Sequence, residues 1–186
     1  GFDGTRHRVA LQSLRVAGGD YHGDATLLAR APLTLDAQLA GRFAAPVPGV
    51  REPVPLEFQL RAKGPAADIA AEGRLQVLRP AAKADDLPRA TATARITPFA
   101  AMPVPRGEAD FQQLDLALFW PSAPRTRLSG HVEVLPQDPA SYALRGEVRN
   151  DAAGPWDAGR LPVASARVQG EWRNGVALVK ALSAET

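Results

Sequence analysis

The sequence predicts an all-β protein built from antiparallel strands. Apolar and polar residues alternate with period two through most of the 186 residues, clusters rich in Gly, Pro, Asn and Asp separate the alternating stretches, and helical spacing fits none of those stretches better. Period two is the mark of a strand with one buried and one wet face, and closely consecutive strands of this kind pair antiparallel.

The elements follow in order. Arg8 to Val16 and Ala25 to Arg30 open the series, with Gly18-Gly19-Asp20 as a turn before the second. In Thr34 to Phe43, Leu35, Ala37, Leu39, Gly41 and Phe43 alternate with Thr34, Asp36, Gln38, Ala40 and Arg42. Past Pro46-Val47-Pro48-Gly49 the pattern returns as Leu56, Phe58, Leu60 and Ala62 against Glu57, Gln59, Arg61 and Lys63. After Gly64-Pro65 it continues as Ile69, Ala71, Gly73, Leu75 and Val77 against Ala70, Glu72, Arg74 and Gln76. A short helix is expected over Ala81 to Asp86. Further strands are expected at Ala90 to Ile96, Leu114 to Leu118, Leu128 to Val134, Tyr142 to Val148, Ala164 to Trp172 and Val176 to Ala181. Asn174-Gly175, between two such runs, is the strongest tight-hairpin signal in the chain. The total is about ten or eleven strands, a body roughly 50 Å long at the usual strand spacing.

A short repeat of the form apolar, any residue, Gly, polar, apolar runs through five of these strands, centred on Gly41, Gly73, Gly130, Gly146 and Gly170. Each Gly shares the parity of the inward face. A strand-interior Gly costs roughly 0.5–1 kcal/mol relative to Ala, so the recurrence asks for a sharp bend or for something approaching the backbone closely. Chance recurrence in an Ala- and Gly-rich β sequence is the plainer alternative.

Composition excludes several classes. Without Cys there is no disulfide scaffold, Cys-based zinc site or thiol nucleophile. No apolar run reaches the ~18 residues of a membrane helix, and the nearest candidate, Pro98 to Pro105, is broken by prolines. Basic and acidic residues nearly balance, 22 against 20, with no basic block beyond Arg125 and Arg127, so no nucleic-acid partner is expected. Alanine supplies 35 residues, which points to a thin core or an unfilled one.

The search for chemistry returns little. His7, His22 and His131 lie in separate segments without ligand spacing. Asp20-Tyr21-His22-Gly23-Asp24 offers carboxylates beside an imidazole but has equally the composition of a turn. His131 falls on the wet face beside Ser129 and Glu133. The pairs Asp85/Asp86 and Glu108/Asp110 are expected in polar, Pro-flanked connections, solvated, where nothing raises a carboxyl pKa. No phosphate loop or nucleotide fingerprint occurs. The chain is expected not to be an enzyme and to need no cofactor or metal. Phe43, Phe58, Tyr142 and Trp172 are expected in the core, and Trp120 and Trp156, beside Pro121 and Pro155, are expected to cover the end of the hydrophobic layer.

Across Leu118-Phe119-Trp120-Pro121-Ser122-Ala123-Pro124-Arg125-Thr126-Arg127-Leu128-Ser129-Gly130-His131-Val132-Glu133 the chain resembles the TamB family, the inner-membrane-anchored subunit of the translocation and assembly module of Gram-negative bacteria. The match continues through Arg145 to Asn150, Gly154 to Pro162 and Val168 to Gly175, and covers most of residues 34 to 182; residues 1 to 33 match less clearly. The resemblance implies an AsmA-like, bridge-like lipid-transfer protein. Its elongated antiparallel sheet folds into an open U-shaped trough, a β-taco, with an apolar interior. Such a protein lies in the periplasm, meets a TamA-like outer-membrane barrel through other parts of its chain, conducts phospholipid between the membranes and supports outer-membrane protein assembly. It implies no catalytic residue. On this reading residues 1–186 are one segment of a longer trough, an expectation that the start at Gly1 and the pattern running on to Leu178-Val179-Lys180 support.

The apolar stripe expected to line the groove and touch phospholipid acyl chains consists of Leu35, Leu39, Phe43, Leu56, Phe58, Leu60, Ile69, Leu75, Val77, Leu114, Leu116, Val132, Val134, Leu144, Val148, Val168 and Trp172. Two rivals stand beside it: a structural β-repeat spacer of an envelope or secreted protein with a filled core and no ligand, and a small closed barrel that pairs its first strand with its last.

Overall fold

The computed structural model describes the chain apart from residues 2–3, 48–51, 80–85, 139–140 and 174, and the side chain of residue 177. Eleven strands form one antiparallel sheet in strict sequence order, a meander without a crossover. They are β1 (Arg6–Val16), β2 (Gly19–Leu28), β3 (Thr34–Ala45), β4 (Val54–Pro65), β5 (Ile69–Val77), β6 (Arg89–Ile96), β7 (Arg106–Leu114), β8 (Leu128–Asp138), β9 (Ser141–Asn150), β10 (Ser165–Arg173) and β11 (Val176–Glu185). Among the described residues β1 pairs only with β2 and β11 only with β10, so the sheet is open and the closed-barrel alternative falls. The expected hairpin pairs Arg173 with Val176, with Gly175 at φ +82°; Asn174 lies outside the described residues. So does the helix expected over Ala81 to Asp86, except for Asp86.

Two expected elements are corrected. The alternation Leu114, Leu116, Leu118 does not mark a strand: β7 ends at Leu114, and Leu116–Leu118 is a 3-10 turn. The Asp115 side chain accepts hydrogen bonds from the amides of Ala117 and Thr126, both at 3.1 Å, and this local bonding displaces sheet pairing. The strand itself lies earlier, over Arg106–Leu114, where the inward residues Gly107 and Ala109 are too small to announce it, so Glu108 and Asp110 stand on the outer face of a strand and not in a connection. The second strand likewise starts at Gly19 instead of Ala25, its inward positions being Tyr21, Gly23, Ala25 and Leu27.

Register keeps the two faces apart across the whole sheet. Residues paired across a ladder share a face, so Leu39 stands beside Gly23 and Leu60, Leu60 beside Gly73, Gly73 beside Ala92, and Ala92 beside Ala109. The same face continues through Phe111, Gly130, Val148 and Ala166 to Ala184. In three strands the apolar spacing changes from two to three, at Leu11/Leu14, Phe111/Leu114 and Val179/Leu182, and each change coincides with a bulge. The extra residue restores parity that would otherwise invert the rest of the strand.

The recurrent glycines are explained by neighbours across the ladder. A Cβ on Gly41 would sit 2.7 Å from Tyr21 Cδ1 and 3.1 Å from Phe58 Cε1; on Gly130 it would meet the Glu147 carbonyl and come within 2.7 Å of Phe111 Cζ. On Gly146 it would lie 2.9 Å from Val168 Cγ1, on Gly73 3.1 Å from Leu60 Cδ2, and on Gly170 2.8 Å from the Leu178 carbonyl. At four of these positions a large side chain lies over the glycine of the adjacent strand. The glycines therefore accommodate the protein's own side chains.

Connections 46–53, 78–88, 115–127 and 151–164 all leave from one rim, where the odd-numbered strands end. There a small core forms from Val47, Val54, Leu56 and Val77, with Phe43 and Ala45 packed against it. Farther along, Asn150 is buried and fully bonded: its Nδ2 donates to the carbonyls of Leu161 (3.3 Å) and Val163 (3.1 Å), and its Oδ1 accepts from the amides of Arg127 and Ala152, both at 3.1 Å. Thr126, also buried, donates to the Leu114 carbonyl at 3.3 Å and accepts from the Leu116 amide at 2.9 Å. These two side chains fasten the longest loops to the sheet.

Two outcomes are expected. Gly130→Ala should destabilise the fold by about 1–3 kcal/mol through overpacking, although Ala is the better strand former; urea unfolding measures this. Asn150→Ala should cost about 1–3 kcal/mol for each backbone partner left unsatisfied, and hydrogen exchange should rise selectively over residues 151–164.

Candidate functional site

The structure brings together every member of the expected stripe except Leu116. Leu35, Leu39 and Phe43 on β3, Leu56, Phe58 and Leu60 on β4, and Ile69, Leu75 and Val77 on β5 share the face traced above. So do Leu114, Val132, Val134, Leu144, Val148, Val168 and Trp172, together with Gly41, Gly73, Gly130, Gly146 and Gly170. Leu116 sits in the 3-10 turn beyond β7 and is not a strand residue of that face. Val9, Leu11, Leu14 and Val16 on β1 and Val179 and Leu182 on β11 extend the face to both edges. Its polar members are His7 at one corner and Asn150 at another.

Much of this face is open to water. Leu39 is 36% exposed, Leu75 39%, Leu60 47%, Val9 66% and Leu182 68%. Trp172, expected in the core, is 44% exposed, because only β9 and β11 flank it and no second layer covers it. Large residues on one strand stand beside small ones on the next, which makes the surface ridged. An open depression of about 260 Å³ is lined by Val9, Leu11, Leu39 and Leu60, with Gly23, Ala25, Ala37 and Ala62 between them and Asp24, Gln38 and Arg61 contributing.

The opposite face is polar, and many of its charges pair across the ladders. Arg42 pairs with Glu57 at 2.8 Å, Arg167 with Glu147 at 3.1 Å and Lys63 with Asp36 at 3.5 Å, each across one ladder. Arg95 binds Asp68, Gln38 donates to Asp24 at 2.7 Å, and Thr93 donates to Glu108 at 3.0 Å. Such exposed pairs are screened by water and contribute little to stability. His131 lies on this face beside Asp110, with 2.9 Å between Nδ1 and the carboxylate. That hydrogen bond raises the imidazole pKa, and the charges of Asp110, Glu108 and Glu133 add to the effect. Asp20, His22 and Asp24 also point to this side, at alternate positions of β2. Among the described residues no three of His, Asp and Glu converge as metal ligands.

Near the β11 edge Glu171 is almost buried and takes hydrogen bonds from Lys180 and Arg173, the latter at 2.8 Å. The Lys180 bond first, then the Arg173 bond, holds its carboxyl below the usual 4.5. Lys180 is the extra residue of the β11 bulge, so this contact ties the bulge to β10.

The two tryptophans expected to close the hydrophobic layer do not. Trp120 is 68% exposed and Trp156 65%, both on rim turns outside the sheet. Each has a Pro neighbour in a turn, Pro121 after Trp120 and Pro155 before Trp156.

Comparison with protein-family models, with curated proteins and with solved structures found no match to this chain.

A carboxylate whose pKa is lowered in the folded state contributes stability above its unfolded value, and that contribution is lost as pH falls through the folded value. Acidification below about 4.5 should therefore weaken the tie between β11 and β10. Amide protection over residues 176–185, taken relative to the intrinsic exchange rate at each pH, should fall at low pH in the parent protein, and Glu171→Gln should show the lower protection already at neutral pH with little further acid response.

Proposed function

We propose that the apolar face receives phospholipid acyl chains and that the chain is a segment of a periplasmic, lipid-conducting groove of the TamB-like kind. The observation that carries this reading is the asymmetry of the sheet: one face is apolar from β1 to β11 and half open to water, while the other is charged and carries cross-strand ion pairs. A contiguous exposed apolar surface of this extent marks a binding surface in a folded protein. Burying acyl chains there gains roughly 0.8 kcal/mol per methylene, with no directional contact required. The ridged surface of small and large side chains offers channels for chains without fixing a single bound position. The sequence resemblance to TamB-like proteins points the same way, and in that setting an inner-membrane anchor and a TamA-like barrel partner belong to other parts of a longer chain. The reading calls on no catalytic residue, cofactor or nucleic acid.

One observation favours the structural-spacer alternative. Val47 folds over one end of the apolar face and joins Val54, Leu56 and Val77 in a small dry core, so part of the face serves packing.

Native mass spectrometry with lipid extraction, on protein purified gently from a bacterial host, separates the two. Phospholipid bound in proportion to protein and lost in Val132→Asp, with the circular dichroism unchanged, is the expected result. A folded, lipid-free protein, or unfolding of Val132→Asp as in a packed core, would replace the groove with the spacer.

A further inference from the structure

The rim made by residues 115–127 and 151–164 carries a second surface. Its two loops form one hydrogen-bonded unit: the Ala123 amide donates to the Trp120 carbonyl at 2.9 Å, the Arg125 amide to the Gly159 carbonyl at 2.9 Å, and the Gly159 amide to the Trp156 carbonyl at 2.9 Å. Trp120 and Trp156 thus stand on braced turns, each about two-thirds exposed. Between them Arg125 and Arg160 face each other across a backbone bridge. Neither guanidinium has a carboxylate partner among the described residues, and neither has that of Arg127, two positions on. The Arg160 stem lies against Gly154, where a Cβ would come within 2.6 Å of its Cδ, so its direction is set by the backbone beneath it. The acidic groups on this rim are Asp157, on the Trp156 turn; Asp115, whose carboxylate accepts from the amides of Ala117 and Thr126; Asp151, which is taken by Arg149 at 2.8 Å; and Glu185, which accepts from the Ser165 hydroxyl at 3.0 Å.

The bridge holds two positively charged residues side by side on the backbone, and a phosphate group can accept hydrogen bonds from both. Exposed indoles beside unpaired guanidiniums make the side-chain set that sits at headgroup depth, ring toward the acyl boundary and cation toward the phosphates. We propose that this rim docks on an anionic bilayer surface. Docking here sets the end of the apolar face beside the bilayer, because β7, β8, β9 and β10 all end or begin at this rim.

The test is co-sedimentation of the full chain with vesicles of phosphatidylcholine, with and without phosphatidylglycerol. Binding should require phosphatidylglycerol and fall with added salt. Replacing Arg125, Arg127 and Arg160 together by Ser should weaken it by about two orders of magnitude, at roughly fivefold per basic side chain near an anionic surface. In single-tryptophan variants, Trp120 and Trp156 should shift their emission to the blue on binding while Trp172, on the apolar face, should not. Equal binding to pure phosphatidylcholine, no binding, binding unchanged in the triple variant, or a shift confined to Trp172 would each overturn the proposal. Val132→Asp keeps the two surfaces distinct: it should abolish copurifying lipid and leave vesicle binding intact. Failure of the rim alone leaves acyl-chain binding standing, and lipid-free protein that still binds vesicles leaves the rim standing.

Discussion

Everything else in this molecule depends on register. An eleven-strand meander has ten ladders, and a slip of one residue in any of them would turn the remaining strands inside out. The chain holds phase through single-residue bulges at Leu11/Leu14, Phe111/Leu114 and Val179/Leu182, where the apolar spacing itself stretches to three. Sequence and backbone agree at each of these points, so the bulges belong to the pattern and correct it where it would drift. The consequence is a sheet whose two faces differ in chemistry from the first strand to the last.

That difference decides what each face can do. The polar face is charged and solvated, and carboxylates and guanidiniums from adjacent strands pair on it, as in Arg42–Glu57 and Arg167–Glu147. Among the described residues the apolar face has no matching layer. Its cross-strand packing, Phe58 and Tyr21 over Gly41 and Phe111 over Gly130, knits neighbouring strands together without covering them. Stability thus comes from contacts within the plane of the sheet, and the outer surface of the same residues stays available. A sandwich would spend that surface on a second sheet about 10 Å away.

The rim follows different physics. Sheet pairing ends at Asn150, Leu114 and Leu128, and buried polar side chains take over, each bonding backbone groups that no strand satisfies. This anchoring braces the long loops through backbone hydrogen bonds. It also lets Trp120 and Trp156 stay outside, since the loops do not need them for packing.

Period-two alternation in the sequence by itself determined the strand content, the antiparallel meander and nearly the whole membership of the apolar face, because side-chain parity in a strand is a local property. It misplaced elements where local parity carries no signal: β7, whose inward residues Gly107 and Ala109 are small, and Leu116, whose apparent alternation is overridden by the Asp115 side chain. Only the tertiary structure decided that the recurrent glycines make room for side chains from neighbouring strands. It alone put Arg125 opposite Arg160, and it alone left Trp172, Trp120 and Trp156 in water. Those outcomes depend on which strand lies beside which and on what covers them, and neither is written in the spacing of residues along a single strand.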